Sequence, residues 1–168
     1  MLKIRPYKES DAETIVSWIK DEVSLRKWSA DRYGSYPINA KDMNRYYADF
    51  PDTEYFHKLT AYDENGIIGH MIIRFVDIEN RICRFGFVIV DDSKRGKGYG
   101  KRMLELAIDH AFEVMKAKKI DLVVFDNNES ALNCYKAAGF KEVATDEEEY
   151  FHVLDEDWKR LKLEYIGN

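Results

Sequence analysis

Apolar side chains recur at helical spacing from Tyr99 to about Lys118, where Met103, Leu104, Ala107, Ile108, Ala111 and Met115 share one face. Upstream the pattern changes to that of strands: Phe56 to Tyr62, Ile67 to Ile78 and Ile82 to Val90, separated by Asn65-Gly66 and by a turn near Glu79-Asn80. Asn-Gly is a strong hairpin signal, because both residues accept the left-handed backbone of a tight antiparallel turn. Ile120 to Phe125 is short and mostly apolar, as expected of a buried strand. Nearer the start, Leu2 to Tyr7 alternates as a short strand. Ser10-Asp11-Ala12-Glu13 then has the form of a capping box, opening a helix with Ile15, Trp18 and Ile19 on its apolar face. A loop-rich region with Trp28, Tyr33, Tyr36 and Pro37 follows, and Asn39 is placed to cap a second helix carrying Met43, Tyr46 and Tyr47. Two further strands are expected around Lys141 to Val153 and Leu161 to Ile166. The order is α/β, and 168 residues suit one domain spanning 1–168 with a substantial core.

Composition narrows the function classes. Eleven Tyr, nine Phe and three Trp argue against disorder. No apolar run reaches the ~18 residues of a membrane helix, and the first residues do not read as a signal peptide, so no membrane partner is expected. Cys83 and Cys134 suit a reducing compartment, which makes a cytoplasmic location the expectation. A net charge of -5 with no long basic stripe argues against nucleic-acid binding. His57, His70, His110 and His152 lack metal-ligand spacing, so no metal is expected.

The chemistry concentrates after the third long strand. Val88 to Gly100 reads as a strand end, a short basic turn and the glycine-rich opening of a helix. The first N–H groups of a helix have no intrahelical partner, and the peptide dipoles aim positive charge at that end. Gly96, Gly98 and Gly100 let an anion approach bare backbone, while Lys94, Arg95 and Lys97 add charge, so the turn suits a phosphate or pyrophosphate. It is not a P-loop: Arg95 stands where the first glycine belongs and Arg102 where Ser or Thr belongs. Nor does Gly96-x-Gly98-x-Gly100 have dinucleotide-fold spacing. Downstream, Asn128, Ala131 and Tyr135 fall on one face of a short helix, Gly139 is placed to end it, and Phe140 opens the next strand.

Arg95-x-x-Gly98-x-Gly100 resembles the pyrophosphate signature of the GNAT superfamily of N-acetyltransferases. Asn128-x-x-Ala131-x-x-x-Tyr135-x-x-x-Gly139-Phe140 is similar to that family's second cofactor wall. The resemblance implies a GNAT fold, with a central mixed, mostly antiparallel twisted sheet flanked by helices, and a transferase moving an acetyl group from acetyl-CoA directly to a primary amine. It assigns acetyl-CoA to the Arg95, Gly96, Lys97, Gly98, Tyr99 and Gly100 loop, to Asn128, and to the backbone of Val88, Ile89 and Val90, in a strand that parts from its neighbour. Those three are equally an ordinary buried strand, and both readings can hold together. Lys101 and Arg102 are surface residues or reach the 3′-phosphate of CoA. The acceptor is expected to be an amine-bearing small molecule or a protein N-terminus, and the protein a monomer or homodimer. Trp28, Pro37, the helix near Tyr47 and the late turn at Trp158 look somewhat like the ribosomal-protein N-terminal acetyltransferase branch.

Tyr135 is the candidate acid, with a core tyrosine as the plainer reading. Moving a proton from a phenol of pKa ~10 to a thiolate of pKa ~8.5 is uphill by about 2 kcal/mol, so proton donation or a hydrogen bond to the leaving sulfur is feasible. No residue presents itself as general base: Val123 and Arg84 occupy the places where relatives carry Glu, and His70 reads better as structural. Cys134 has no base to make it a nucleophile. The missing base leaves a second class of function open, an acyl-CoA-binding sensor without turnover. Trp28, Tyr33, Tyr36, Tyr46 and Tyr47 either line an acceptor cleft or fill the core. Asp146 to Glu149 either attracts a cationic amine or forms a solvated turn.

Overall fold

The computed structural model describes residues 1–167. Eight strands form one sheet in the order β1-β2-β3-β4-β5-β8-β6, with β7 paired to β8. They are β1 (Lys3–Pro6), β2 (Phe56–Asp63), β3 (Gly66–Asp77), β4 (Ile82–Val90), β5 (Lys119–Phe125), β6 (Phe140–Glu142), β7 (Glu149–Val153) and β8 (Glu156–Tyr165). Every pairing is antiparallel except β4 with β5, where the helix crossover makes the strands parallel. The helices are α1 (Ala12–Ser17), α2 (Glu22–Ser29), α3 (Ala40–Ala48), α4 (Tyr99–Glu113) and α5 (Glu129–Ala137).

Each sheet face has its own core. On one, α4 lays Met103, Leu104, Ala107, Ile108 and Ala111 against β-sheet residues such as Met71, Phe85 and Leu122, while Met115, read from the sequence as part of the same stripe, is buried beyond the end of the helix at Glu113. Each large side chain so buried contributes roughly 1.5–3 kcal/mol. On the other, Ile15, Leu25, Met43 and Tyr47 of α1 to α3 cover Ile72 and Ile89. Among the described residues no helix is long and apolar enough to cross a membrane.

Three expectations need correction. The region after Ile19 is not all loop: α2 forms there, with Asp21 accepting from Ser24 N at 2.7 Å as its cap. The chain from Lys141 onward makes three strands rather than two, because a turn at Leu154 and Asp155, both at positive φ, folds β7 back along β8. Ser10 does not cap α1. The helix follows a short 3₁₀ turn, and Asp11, 2 % exposed, accepts instead from Lys8 N, from Thr60 Oγ1 and from both terminal nitrogens of Arg5 at 2.8–2.9 Å.

Burial alone raises the Asp11 pKa, but the hydrogen bonds from Arg5, Lys8 and Thr60 outweigh it and hold the carboxyl below the ordinary range. A carboxylate depressed in the fold contributes stability that is complete above its unfolded pKa and is lost as pH falls through the folded one. Asp11→Asn is therefore expected to cost on the order of 1–3 kcal/mol at neutral pH. The gap to wild type should narrow below about pH 4. Urea unfolding at a series of pH values checks this, and a pH-independent gap would contradict it.

Candidate active site

The site lies where the sheet comes apart. β4 and β5 pair from Ile82↔Lys119 to Phe85↔Leu122 and no further. Beyond that point β4 follows β3 and β5 follows β8, so the strands diverge and β4 from Gly86 onward keeps one edge without a strand partner. A bulge sits at the parting. Between Ile72↔Gly86 and His70↔Ile89, β4 uses one more residue than β3, and Phe87 adopts φ +50°. For a non-glycine residue that backbone costs on the order of 1–3 kcal/mol. Packing offsets it: the Phe87 ring meets Trp28 at 5.1 Å and Tyr47 at 5.9 Å, edge to face.

A cavity of about 1060 Å³ occupies the parting and runs from α2 and α3 through the gap to α4 and α5. Val88, Ile89 and Val90 line it, as do Arg95, Gly96, Gly98, Gly100, Asn128 and Tyr135. Lys97 and Tyr99 do not. Lys97 Nζ turns back toward Ser93 O at 3.5 Å, and the Tyr99 ring packs on the α4-side core.

The loop between β4 and α4 has the form its sequence implies. Asp91 Oδ1 accepts from Ser93 N at 2.9 Å to start a 3₁₀ turn. Gly96 and Gly98 take φ +75° and +86°, and a Cβ on either would meet nothing within 4 Å, so bare backbone faces open space. Gly98 caps α4 with no side chain answering the first N–H groups, which leaves the positive end of a fifteen-residue helix available to an anion. Gly100, which also lines the cavity, serves packing as well: a Cβ there would lie 2.9 Å from Cys134 Sγ, so its absence lets α4 and α5 close on each other.

α5 presents the second motif. Asn128 Oδ1 accepts from Ala131 N at 3.4 Å as the helix cap, and Asn128, Ala131 and Tyr135 all reach the cavity, as their spacing requires. Gly139, at φ +104°, follows the last turn. Tyr135 is 7 % exposed and sets its ring against Phe140. Burial, then the neighbouring Cys134, push its phenol well above the ordinary range, so it stays protonated. Burial likewise raises the Cys134 thiol.

Other candidates settle elsewhere. His70 is fully buried, 2.7 Å from Tyr47 Oη, and burial pushes it down to about 3. It is neutral, lies off the cavity and does not supply a base. His57 and His110 contact each other at 2.8 Å beside a separate cavity of about 230 Å³. Among the described residues no three potential metal ligands gather. Of the five aromatic candidates, Trp28 and Tyr46 line the main cavity, while Tyr33, Tyr36 and Tyr47 do not. In the acidic run, Glu148 and Glu149 pair across the β7–β8 hairpin with Lys159 and Arg160, each at 3.2 Å. Lys101 lines the cavity, whereas Arg102 pairs with Glu105 at 3.3 Å.

Sequence reasoning missed a group of arginines on the cavity's helix α2 side: Arg32, Arg74 and Arg160 join Arg84 there. Part of this was legible, since Arg74 and Arg84 lie symmetrically about the turn near Glu79 and are direct cross-strand partners. Arg84 is clamped to Asp121, Nε to Oδ1 at 2.7 Å and a terminal nitrogen to Oδ2 at 3.1 Å. Val123 adds an apolar patch to the wall.

Comparison with known proteins follows the same lines. The model of the acetyltransferase (GNAT) family matches residues 22–140. A spermine/spermidine N(1)-acetyltransferase of Bacillus subtilis (strain 168) is 31% identical over 98 residues, covering 55% of this chain and 64% of that protein. The match thus spans less than two thirds of that relative. Acetyltransferase PseH of Campylobacter jejuni (strain 81-176) is 23% identical over 156 residues, covering 91% of this chain and 92% of its own. Among solved structures, spermidine N-acetyltransferase from Vibrio cholerae in complex with CoA and spermine superposes with a TM-score of 0.79 at 19% identity, covering 97% of this chain and 94% of that one. At that identity the likeness is one of fold.

Proposed function

The chain belongs to the acetyltransferase (GNAT) family, and from that premise we propose that it is an acetyl-CoA-dependent N-acetyltransferase acting on a primary amine of a small molecule. One observation carries the reading. The β4–β5 pairing ends at Phe85↔Leu122, and the cavity in that gap joins the free edge of β4, the glycine loop and Tyr135 in a single space. The parts suit acetyl-CoA. Left-handed glycines with open space above them and an uncapped helix N-terminus suit a pyrophosphate. The unpartnered edge from Gly86 to Val90 suits a chain of amides.

Acetyl-CoA, when bound, supplies an activated acyl carbon: one N–C bond forms, the C–S bond breaks, the amine loses a proton and the sulfur gains one. The residues Arg95, Gly96, Gly98 and Gly100, with the backbone N–H groups of the loop, would hold its phosphates, and Asn128 would border it on the α5 side. Backbone groups of Val88, Ile89 and Val90 would orient the acyl arm. Tyr135 Oη is the proton donor toward the sulfur. Its raised pKa makes complete transfer costlier than for a free phenol, so it acts chiefly as a hydrogen-bond donor that strengthens as charge develops. Asp31 is the sole carboxylate among the described residues lining the cavity, and no histidine lines it, so the amine's proton leaves to water or to Asp31.

The names of the Bacillus and Vibrio relatives make a polyamine the first acceptor to weigh, and the cavity's charge decides how well one would suit. The test is acetyl-CoA-dependent thiol release over a panel of small amines and N-terminal peptides. Release with one acceptor class is expected. Tight acetyl-CoA binding without release from any acceptor would favour a binding module instead.

A further inference from the structure

The α2 side of the cavity carries more positive charge than the acids beside it, among the described residues, answer. Arg32 follows α2, Arg74 lies on β3, Arg84 on β4 and Arg160 on β8, and all four line the cavity. Arg74 and Arg84 sit directly opposite each other across the strand pair, a placement of like charges that costs stability unless something intervenes. Two of the four have acids of their own: Arg84 holds Asp121, and Arg160 holds Glu149 at 3.2 Å. Arg74 has no such relief among the described residues. It is half-buried, and the carboxylate that acts on it is Asp121, already clamped by Arg84. Burial and then the charges of Arg84 and Arg32 push the Arg74 guanidinium below its ordinary range. Arg160 is lowered by burial and by the same two neighbours, against the pull of Glu149. Trp28, on the same wall, has its indole N–H buried without a hydrogen-bond partner among the described residues. The wall offers donors and positive charge; among the described residues Asp31 is the one carboxylate lining it, and Asp121 and Glu149 behind it are taken by Arg84 and Arg160.

A half-buried guanidinium without a carboxylate is the usual setting for an anionic ligand, because the planar fork matches a carboxylate or phosphate in two hydrogen bonds. The same wall opposes a polyamine, which brings only positive charge, because like charges brought together across an interface repel. Resting on the acetyltransferase reading above, we propose that the acceptor is an amine that also bears a carboxylate or phosphate group, held by Arg74 and Arg32 with Arg84 and Arg160 beside them, and that polyamines are poor acceptors.

The experiment compares matched acceptors with the whole protein and acetyl-CoA. Glucosamine 6-phosphate is set against glucosamine, glutamate against its dimethyl ester, and spermidine stands alone. We expect kcat/KM for at least one anionic member to exceed its uncharged counterpart by about tenfold or more, with that ratio falling about tenfold in Arg74→Gln. The phosphate and carboxylate pairs separate the two sources of the anion. Equal rates within both pairs, or spermidine surpassing every anionic amine, would overturn the proposal. A second readout is independent of turnover: with CoA saturating, inorganic phosphate or succinate should raise the melting temperature of wild type and not of Arg74→Gln, and spermidine should not raise it. Absence of that shift in wild type overturns the anion site. The shift without thiol release from any amine overturns the transferase reading and leaves the anion site standing.

Discussion

Tyr135→Phe is expected to lower turnover by on the order of 10², with affinity for acetyl-CoA retained. The substitution removes one hydroxyl from a 7 % exposed ring and keeps the volume that fills the space beside Phe140, so α5 should hold its place. Burial keeps the phenol protonated across the working pH range, so its contribution is that of a donor and should not titrate near neutrality. Two measurements bear on it: single-turnover rates of thiol release, and the binding of CoA by calorimetry. Unchanged turnover would return Tyr135 to the role of a core residue. A loss of affinity equal to the loss of rate would make it a binding group without a part in proton transfer.

Phe85→Ala is expected to destabilise the fold by about 3–5 kcal/mol, a large share of the ~5–15 kcal/mol typical of a domain. Phe85 is 2 % exposed, packs on Phe140 at 5.8 Å between centroids, and pairs with Leu122 at the last rung before β4 and β5 part. It is the post at the apex of the opening, and truncating it leaves a void continuous with the cavity. Denaturant unfolding should show the loss as a lower midpoint with a similar slope. A cost below about 1 kcal/mol would mean that the sheet repacks around the opening.

Much of this was legible in the order of residues. The Asn39 cap and the Asn128-to-Tyr135 face follow from local turn chemistry and periodicity and are found as read. The α4 stripe is found from Met103 to Ala111, but the helix ends at Glu113, short of Met115, and the hairpin turns on Glu64-Asn65, with Gly66 already paired to Asp63. α2 escaped because Leu25 and Ser29 are its only buried residues, so its apolar stripe is too narrow to announce a helix. The Ser10–Glu13 box was misread because the demand on this turn is tertiary: Asp11 answers Arg5 and Thr60, which come from strands, and that overrode the local cap pattern. The arginine wall escaped for a related reason. Arg74 and Arg84 are related by the hairpin, but Arg32 and Arg160 reach the same space only once α2 and the β7–β8 hairpin have packed. Tyr47 and Trp28 illustrate the limit of composition: two similar aromatics, one sealed against His70 and one on the cavity wall.

The parting of β4 from β5 has a thermodynamic consequence. From Gly86 to Val90 the native backbone holds hydrogen-bonding groups toward a gap that no strand fills, and the unfolded chain has no such edge to offer. A ligand that answers those groups binds one state and not the other, so occupancy and folding form a single linked equilibrium. At a free ligand concentration of 100 times Kd the linkage is worth about 2.7 kcal/mol. On the proposed function that ligand is the acyl donor, and the unfolding midpoint is expected to rise with its concentration.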